Sequence, residues 1–214
     1  MRTIAIEVLL LSAAAVCARA QQWEFGGLGG GAFLNNVTAT ATAPAGTGTA
    51  GFQSGGVFGA FLGQNMSSHI GGEIRYEYFQ SNLELKSGGA SATFAGQAHA
   101  VHYDLLFHTH SKTSSVQFFA AVGGGMKLFR ATGAQAATQP LYQYGYFTPT
   151  QTLKPMGDFG GGVRFGITKH VFLRVEVRDF ITAFPTAVLT PPPNVKYGSI
   201  LQDIVPMAAV SFAF

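Results

Sequence analysis

The last eleven residues, Ile204-Val-Pro-Met-Ala-Ala-Val-Ser-Phe-Ala-Phe214, place Ile204, Val210, Phe212 and Phe214 on one face of an extended strand. Apolar groups at alternate positions, ending on an aromatic residue, predict a lipid-facing strand that closes a sheet into a barrel. The start of the chain agrees. Residues 1–20, MRTIAIEVLLLSAAAVCARA, combine an early Arg2, an apolar stretch from Val8 to Val16, and small residues at Ala18 and Ala20. That is the pattern of a cleaved secretory signal peptide. Glu7 and Arg19 leave the apolar run short of the roughly 20 residues a membrane helix needs. The expected mature chain is one barrel domain, residues 21–214, exported and inserted in a bacterial outer membrane.

Composition narrows the partners. Cys17 is the only cysteine and lies in the leader, so no disulfide and no cysteine metal ligand are expected in the mature protein. Bulky Val16 before it argues against lipid attachment. The formal charge of +3 comes with no lysine and arginine run, which excludes nucleic acid as a partner. The chain has 28 glycines, 19 phenylalanines and 11% charged residues, against roughly 25% charged in an average soluble domain. Much of its surface faces something other than water. After residue 20 no apolar run reaches the length of a membrane helix, so strands are the only means of crossing.

Eight segments have alternating character and sufficient length: 22–34, 52–64, 69–83, 92–108, 115–130, 152–167, 170–182 and 203–214. The gaps between them alternate long and short. Short ones are Asn65 to Ser68, Thr109 to Ser114 and Thr168-Lys169; long ones are 35–51, 84–91, 131–151 and 183–202. This predicts an all-β, eight-stranded antiparallel up-and-down transmembrane barrel with short periplasmic turns and four longer extracellular loops.

Periodicity assigns the faces. In the seventh segment Val171, Leu173, Val175 and Val177 alternate with Phe172, Arg174, Glu176 and Arg178. In the third, Ile74, Tyr76 and Tyr78 oppose Glu73, Arg75 and Glu77; in the sixth, Phe159, Val163 and Phe165 oppose Asp158 and Arg164. Alternation alone does not say which face is outside. The leader and the terminal strand turn the apolar set towards lipid. Trp23, Phe25, Tyr76, Tyr78, Tyr103, Phe107, Phe212 and Phe214 then suit an aromatic girdle. Glu24, Glu73, Arg75, Glu77, Asp104, Lys127, Asp158, Arg164, Arg174, Glu176, Arg178 and Asp203 are expected to pair inside the lumen, because buried unpaired charges are costly. Glycine runs such as Gly123 to Gly125 and Gly160 to Gly162 relieve crowding in a narrow barrel. None precedes a helix pattern or carries a phosphate-binding lysine.

Four stretches together carry a resemblance: Gly55-Gly-Val-Phe-Gly-Ala-Phe61, His69-Ile-Gly-Gly-Glu-Ile-Arg-Tyr-Glu-Tyr78, Gly123-Gly-Gly-Met-Lys-Leu-Phe-Arg-Ala131 and Leu173-Arg-Val-Glu-Val177. In order and spacing the chain from about residue 22 to Phe214 resembles the small OmpA-like and OmpX-like outer-membrane β-barrels. That resemblance implies an ion-pair network in the lumen, with Glu73 and Arg174 at matching positions. The chain stops at the eighth strand, so the peptidoglycan-binding domain that many such proteins carry is expected to be lacking. Single-barrel OmpX-like or OmpW-like proteins are then the nearer comparison.

Other chemistry is weaker. Glu73 and Glu77 flank Arg75 on one strand face, which favours charge balancing over acid-base catalysis. His69, His102, His108, His110 and His170 lie towards the periplasmic ends and read as solvated rim residues among Lys112 and Lys169. His108-Thr-His110 has chelating spacing, but no carboxylate or cysteine completes a set, so no metal and no cofactor are expected. Ser54, Ser81, Ser87 and Ser91 have only His99 nearby, short of a triad. Tyr142-Gln-Tyr-Gly-Tyr-Phe147 reads first as girdle tyrosines and otherwise as an extension of the fifth and sixth strands that offers a binding surface; Pro191 to Pro193 stiffens the last loop; the Thr-rich 38–49 reads as flexible or disordered. No reaction is assigned. The leading expectation is a monomeric structural or surface-interaction protein with an ion-paired lumen. The alternatives are a narrow conduit for small or hydrophobic solutes and a lipid A-modifying enzyme. A soluble lipocalin-like binder ranks last, because of the terminal strand and the apolar exterior. Expected partners are outer-membrane lipids and lipopolysaccharide, the barrel-assembly machinery through the strand ending at Phe214, and an extracellular ligand at the loops.

Overall fold

The computed structural model describes residues 22–109, 115–134 and 138–214. The signal-peptide reading, Cys17, His110 and Lys112 fall outside these residues. In chain order the strands are β1 (Gln22–Leu34), β2 (Val37–Thr42), β3 (Ala45–Phe52), β4 (Gly55–Asn65), β5 (Ile70–Gln80), β6 (Leu83–Ser87), β7 (Ala90–Phe94) and β8 (Gly96–His108). They continue with β9 (Val116–Ala131), β10 (Tyr146–Phe147), β11 (Gln151–Gly166), β12 (Val171–Ala183), β13 (Leu189–Thr190), β14 (Val195–Tyr197) and β15 (Ile200–Ala213).

Eight of these strands close a barrel in the order β1-β15-β12-β11-β9-β8-β5-β4, antiparallel throughout. The seam between first and last strands runs from Glu24↔Ala213 to Leu34↔Asp203. Period-two alternation sets the two faces. Along β15, Ile204, Val210, Phe212 and Phe214 are exposed, whereas Asp203, Val205, Met207 and Ser211 are buried. An outward band of exposed Phe, Val, Ile, Leu and Tyr covers the wall, as a barrel needs where it meets lipid.

The expected barrel strands are present, with shifted bounds. β4 starts at Gly55 rather than at 52, β5 ends at Gln80 rather than at 83, and β8 starts at Gly96 rather than at 92. The trimmed residues belong to a second sheet: Phe52 pairs with Leu83, and Leu83 pairs with Phe94.

That sheet corrects the reading of the long connections as loops. β14-β2-β3-β6-β7 form five strands, and β10 pairs β13 beside them. The 38–49 segment is a hairpin. Its low complexity hides a strict alternation, Val37, Ala39 and Ala41 inward and Thr38, Thr40 and Thr42 outward, and β-branched threonine favours a pleated, half-buried surface. The 84–91 connection is also a hairpin, β6 to β7, turning on Gly88 and Gly89 with φ of 57° and 82°, the left-handed conformations a tight two-residue turn requires. The tyrosine segment does not extend the fifth and sixth barrel strands. Tyr144 N–H bonds to Leu141 C=O in a turn at 2.9 Å, and only Tyr146 and Phe147 are extended, paired with Thr190 and Leu189. The Gln139 side chain holds Phe147 by accepting from its N–H at 2.8 Å and donating to its C=O at 2.9 Å.

A continuous apolar core links the two sheets. At the long-loop end of the lumen, Phe79, Phe129, Phe180, Leu201 and Val205 are buried; above them lie Phe52, Leu83, Leu85, Val188 and Leu189. Phe52 meets Phe129 at 5.2 Å between ring centroids, and Phe79 meets Phe180 edge-on at 5.7 Å. Each such ring contributes roughly 1.5–3 kcal/mol by leaving water.

Candidate functional site

The inward positions of seven barrel strands carry charge, most of it below the apolar core. Glu73, Arg75 and Glu77 come from β5, Asp104 from β8, Asp158 and Arg164 from β11, and Arg174, Glu176 and Arg178 from β12. Glu24 of β1, Lys127 of β9 and Asp203 of β15 complete the set. All twelve residues expected inside are buried.

They meet as a network. Arg174 Nη1 donates to Glu73 Oε2 and Oε1 at 2.8 and 3.1 Å, and its Nη2 lies 3.7 Å from Glu24 Oε1. Arg178 reaches Glu73 (3.1 Å), Asp104 (2.9 Å), Asp158 (3.1 Å) and Glu176 (3.3 Å). Arg75 pairs with Glu176 and lies 3.4 Å from Glu73 and 3.7 Å from Glu77. Arg164 donates to Glu24 at 2.7 Å and Gln117 at 2.9 Å and stacks on Phe172 at 3.5 Å, while Ser211 donates to Glu24 at 2.6 Å. Lys127 bonds Asp203 at 2.7 Å in a separate pair, seated in the apolar layer with its ammonium 3.9 Å from the Phe79 ring.

One member was misplaced by sequence reasoning. His102 is not a solvated rim residue; it is 2% exposed, inside the network. Its Nδ1 lies 2.7 Å from Asp104 Oδ1 and 3.2 Å from Asp158 Oδ1, and its Nε2 3.8 Å from Glu77 Oε2. Parity was the available signal, because His102 and Asp104 are two residues apart on one strand and share a face. Inward glycines on β9 give these side chains room. A Cβ at Gly123 would fall 2.0 Å from Asp104 Oδ1, and one at Gly125 would fall 2.5 Å from His102 Cα.

The other histidines differ. His69 and His170 are exposed at the short-turn end, and the half-buried His108 packs against Phe119 at 6.0 Å. His99 faces outward, with Nδ1 2.8 Å from Tyr76 Oη and Nε2 3.4 Å from Gln97 Nε2. The proposed aromatic girdle is not a single ring. Trp23, Phe25, Phe107, Phe212 and Phe214 gather at the short-turn end, Tyr76 and Tyr78 lie towards the long-loop end, and Tyr103 sits between.

The second sheet has its own polar surface. Cross-strand pairing aligns Thr38, Thr49, Lys86 and Ser91 in a row over four strands. They border an open groove of about 620 Å³. Beside it, a cleft of about 500 Å³ exposes the edge of Glu84. Burial works to raise the Glu84 pKa. Hydrogen bonds from Lys86 (2.6 Å), Gln53 (3.1 Å) and Asn36 (3.4 Å) outweigh it and hold the carboxyl below its ordinary value. Burial raises the Tyr197 phenol, which donates to Tyr144 C=O at 2.7 Å.

Solved structures with the same architecture include Neisserial surface protein A, with a TM-score of 0.53 and 10% identity over 89% of this chain and 97% of that one. Outer membrane protein OprG from Pseudomonas aeruginosa gives 0.52 at 13% identity over 89% and 95%. The N-terminal β-barrel domain of OprF from Pseudomonas aeruginosa gives 0.50 at 10% identity over 90% and 97%. The fold is that of the small outer-membrane β-barrels. At these identities the likeness extends to the fold alone. No protein-family profile and no curated protein matches the chain by sequence.

Proposed function

We propose that this barrel spans the bacterial outer membrane without conducting across it and presents its second sheet to the outside as an interaction platform. The carrying observation is the stacking of two barriers along one lumen. An ion-paired layer lies towards the short-turn end, and the apolar layer of Phe79, Phe129 and Phe180 lies above it, continuous with the core of the second sheet. An ion crossing this path would have to part buried charge pairs and then shed its water among phenylalanines, each step costing several kcal/mol. In this reading the leader delivers the chain to the periplasm, the three short turns stay there, and the row of hydroxyls around Lys86 faces outward.

Single-channel recording in planar bilayers tests the reading, with wild type beside Arg174→Ala and Phe180→Ala across pH 5 to 8. Wild type and both single variants are expected to stay silent. Discrete wild-type openings would make transport the function. N-terminal sequencing of protein from the outer-membrane fraction tests location and processing together; the expected first residue is Gln21.

A further inference from the structure

Charge in the lumen does not balance. The contiguous network joins six carboxylates, Glu24, Glu73, Glu77, Asp104, Asp158 and Glu176, to four guanidinium groups, Arg75, Arg164, Arg174 and Arg178. Lys127 and Asp203 neutralise each other outside it. With the His102 imidazole neutral, as a metal ligand must be, the network therefore falls two positive charges short, in a place where unmatched carboxylates are costly. The shortfall is localised. Asp158 Oδ1 and both oxygens of Glu77 accept no hydrogen bond from the described residues, and both side chains are almost fully buried.

We propose that His102, Asp104 and Asp158 form a divalent-cation site inside the barrel. Their donor atoms all lie within 4.8 Å of one another. Two ligands roughly 2.1 Å from a shared ion stand about 3 Å apart at the right angles of an octahedral shell and about 3.4 Å apart in a tetrahedral one. The spacings from His102 Nδ1 to Asp104 Oδ1 and Asp158 Oδ1, 2.7 and 3.2 Å, bracket the octahedral value, and a tetrahedral ion needs the donors to part by a few tenths of an ångström. Arg178 holds the far oxygen of each aspartate, at 2.9 and 3.1 Å, and so aims both Oδ1 atoms at the imidazole. That is the work of an outer shell around a metal. A metal on Nδ1 leaves the proton on Nε2, which faces the unpaired Glu77 Oε2 across 3.8 Å, too far for a hydrogen bond but favourable in charge. The missing Cβ of Gly123 gives the Asp104 carboxylate its place. One imidazole with two carboxylates suits Zn²⁺ or Mn²⁺, and a double positive charge closes the deficit. The phenylalanine layer shuts the site from above, so the ion enters while the barrel is forming.

The test uses protein extracted from membranes, unfolded in urea with chelator, and refolded in detergent with ZnCl₂, with MnCl₂ or with chelator alone. Elemental analysis after gel filtration reads the stoichiometry, and the heat-dependent gel shift of a closed barrel reads folding. The expected result is about one ion per wild-type chain, a higher melting temperature with metal, and at least a tenfold loss of stoichiometry in His102→Gln and Asp158→Asn. Folded wild type that takes up no ion overturns the proposal, and so does equal uptake by folded variants, which would mark adventitious binding at surface histidines such as His69. If the variants do not fold, X-ray absorption on the wild type decides between a shell containing one imidazole and carboxylates and a shell lacking it.

Discussion

At the scale of single residues, the lumen turns on groups with several partners each. Arg174 serves Glu73 and Glu24 together, so its removal leaves two carboxylates under-compensated in a buried setting. Arg174→Ala is expected to lower unfolding stability by about 3–5 kcal/mol, read from urea titrations of Trp23 fluorescence in micelles. Arg174→Lys should lose less, because a point charge replaces one arm of the fork. These inward positions were legible because Arg174-Val-Glu176-Val-Arg178 states its period without interruption. His102 was not. Its neighbours His108 and His110 drew it into a set defined by nearness to a turn, yet six residues of strand separate His102 from His108, which carries it roughly 20 Å along β8. Face and height are independent coordinates, and composition reports neither.

At the scale of elements, the second sheet rests on hairpins whose turns and polar pairs can be tested separately. Gly89→Val places a branched side chain at φ of 82° and should cost the β6–β7 hairpin about 1–2 kcal/mol, measured as faster proteolytic cleavage there with the barrel intact. Glu84 gives the sheet a pH dependence. Its folded pKa lies below the ordinary 4.5, so its stabilisation is complete above pH 4.5 and drains away as pH falls through the lower folded value. Protease sensitivity of the sheet should rise on that descent in wild type, and Glu84→Gln should flatten the change. This sheet was illegible for a definite reason. Apart from Pro44, residues 38–49 use three small residue types, and repetition of alanine, threonine and glycine reads as low complexity unless the period is counted. The barrel strands gave themselves away by contrast between charge and hydrocarbon; Thr38-Ala-Thr40-Ala-Thr42 alternates just as strictly with almost no contrast.

At the scale of the whole molecule, the two barriers act in series. Arg174→Ala leaves the phenylalanine layer standing, and Phe180→Ala leaves the charges paired. The double variant Arg174→Ala/Phe180→Ala is therefore the one expected to conduct, and bilayer recordings of all three check the order. The eight-strand plan and the antiparallel order were readable from spacing alone, whereas the apolar layer was not, because Phe79, Phe129 and Phe180 lie in three strands that are far apart in sequence and only the closed barrel brings their rings together. The lumen also carries information about completion. Glu24 on the first strand is bonded by Ser211 on the last, across 187 positions, and Arg75 reaches Glu176 across 101. A polypeptide without β15 leaves Glu24 lacking its Ser211 donor and the edges of β1 and β12 unpaired. Protease resistance of the barrel is therefore expected to appear only once the last strand is in place, a dependence that limited proteolysis of truncated chains reads directly.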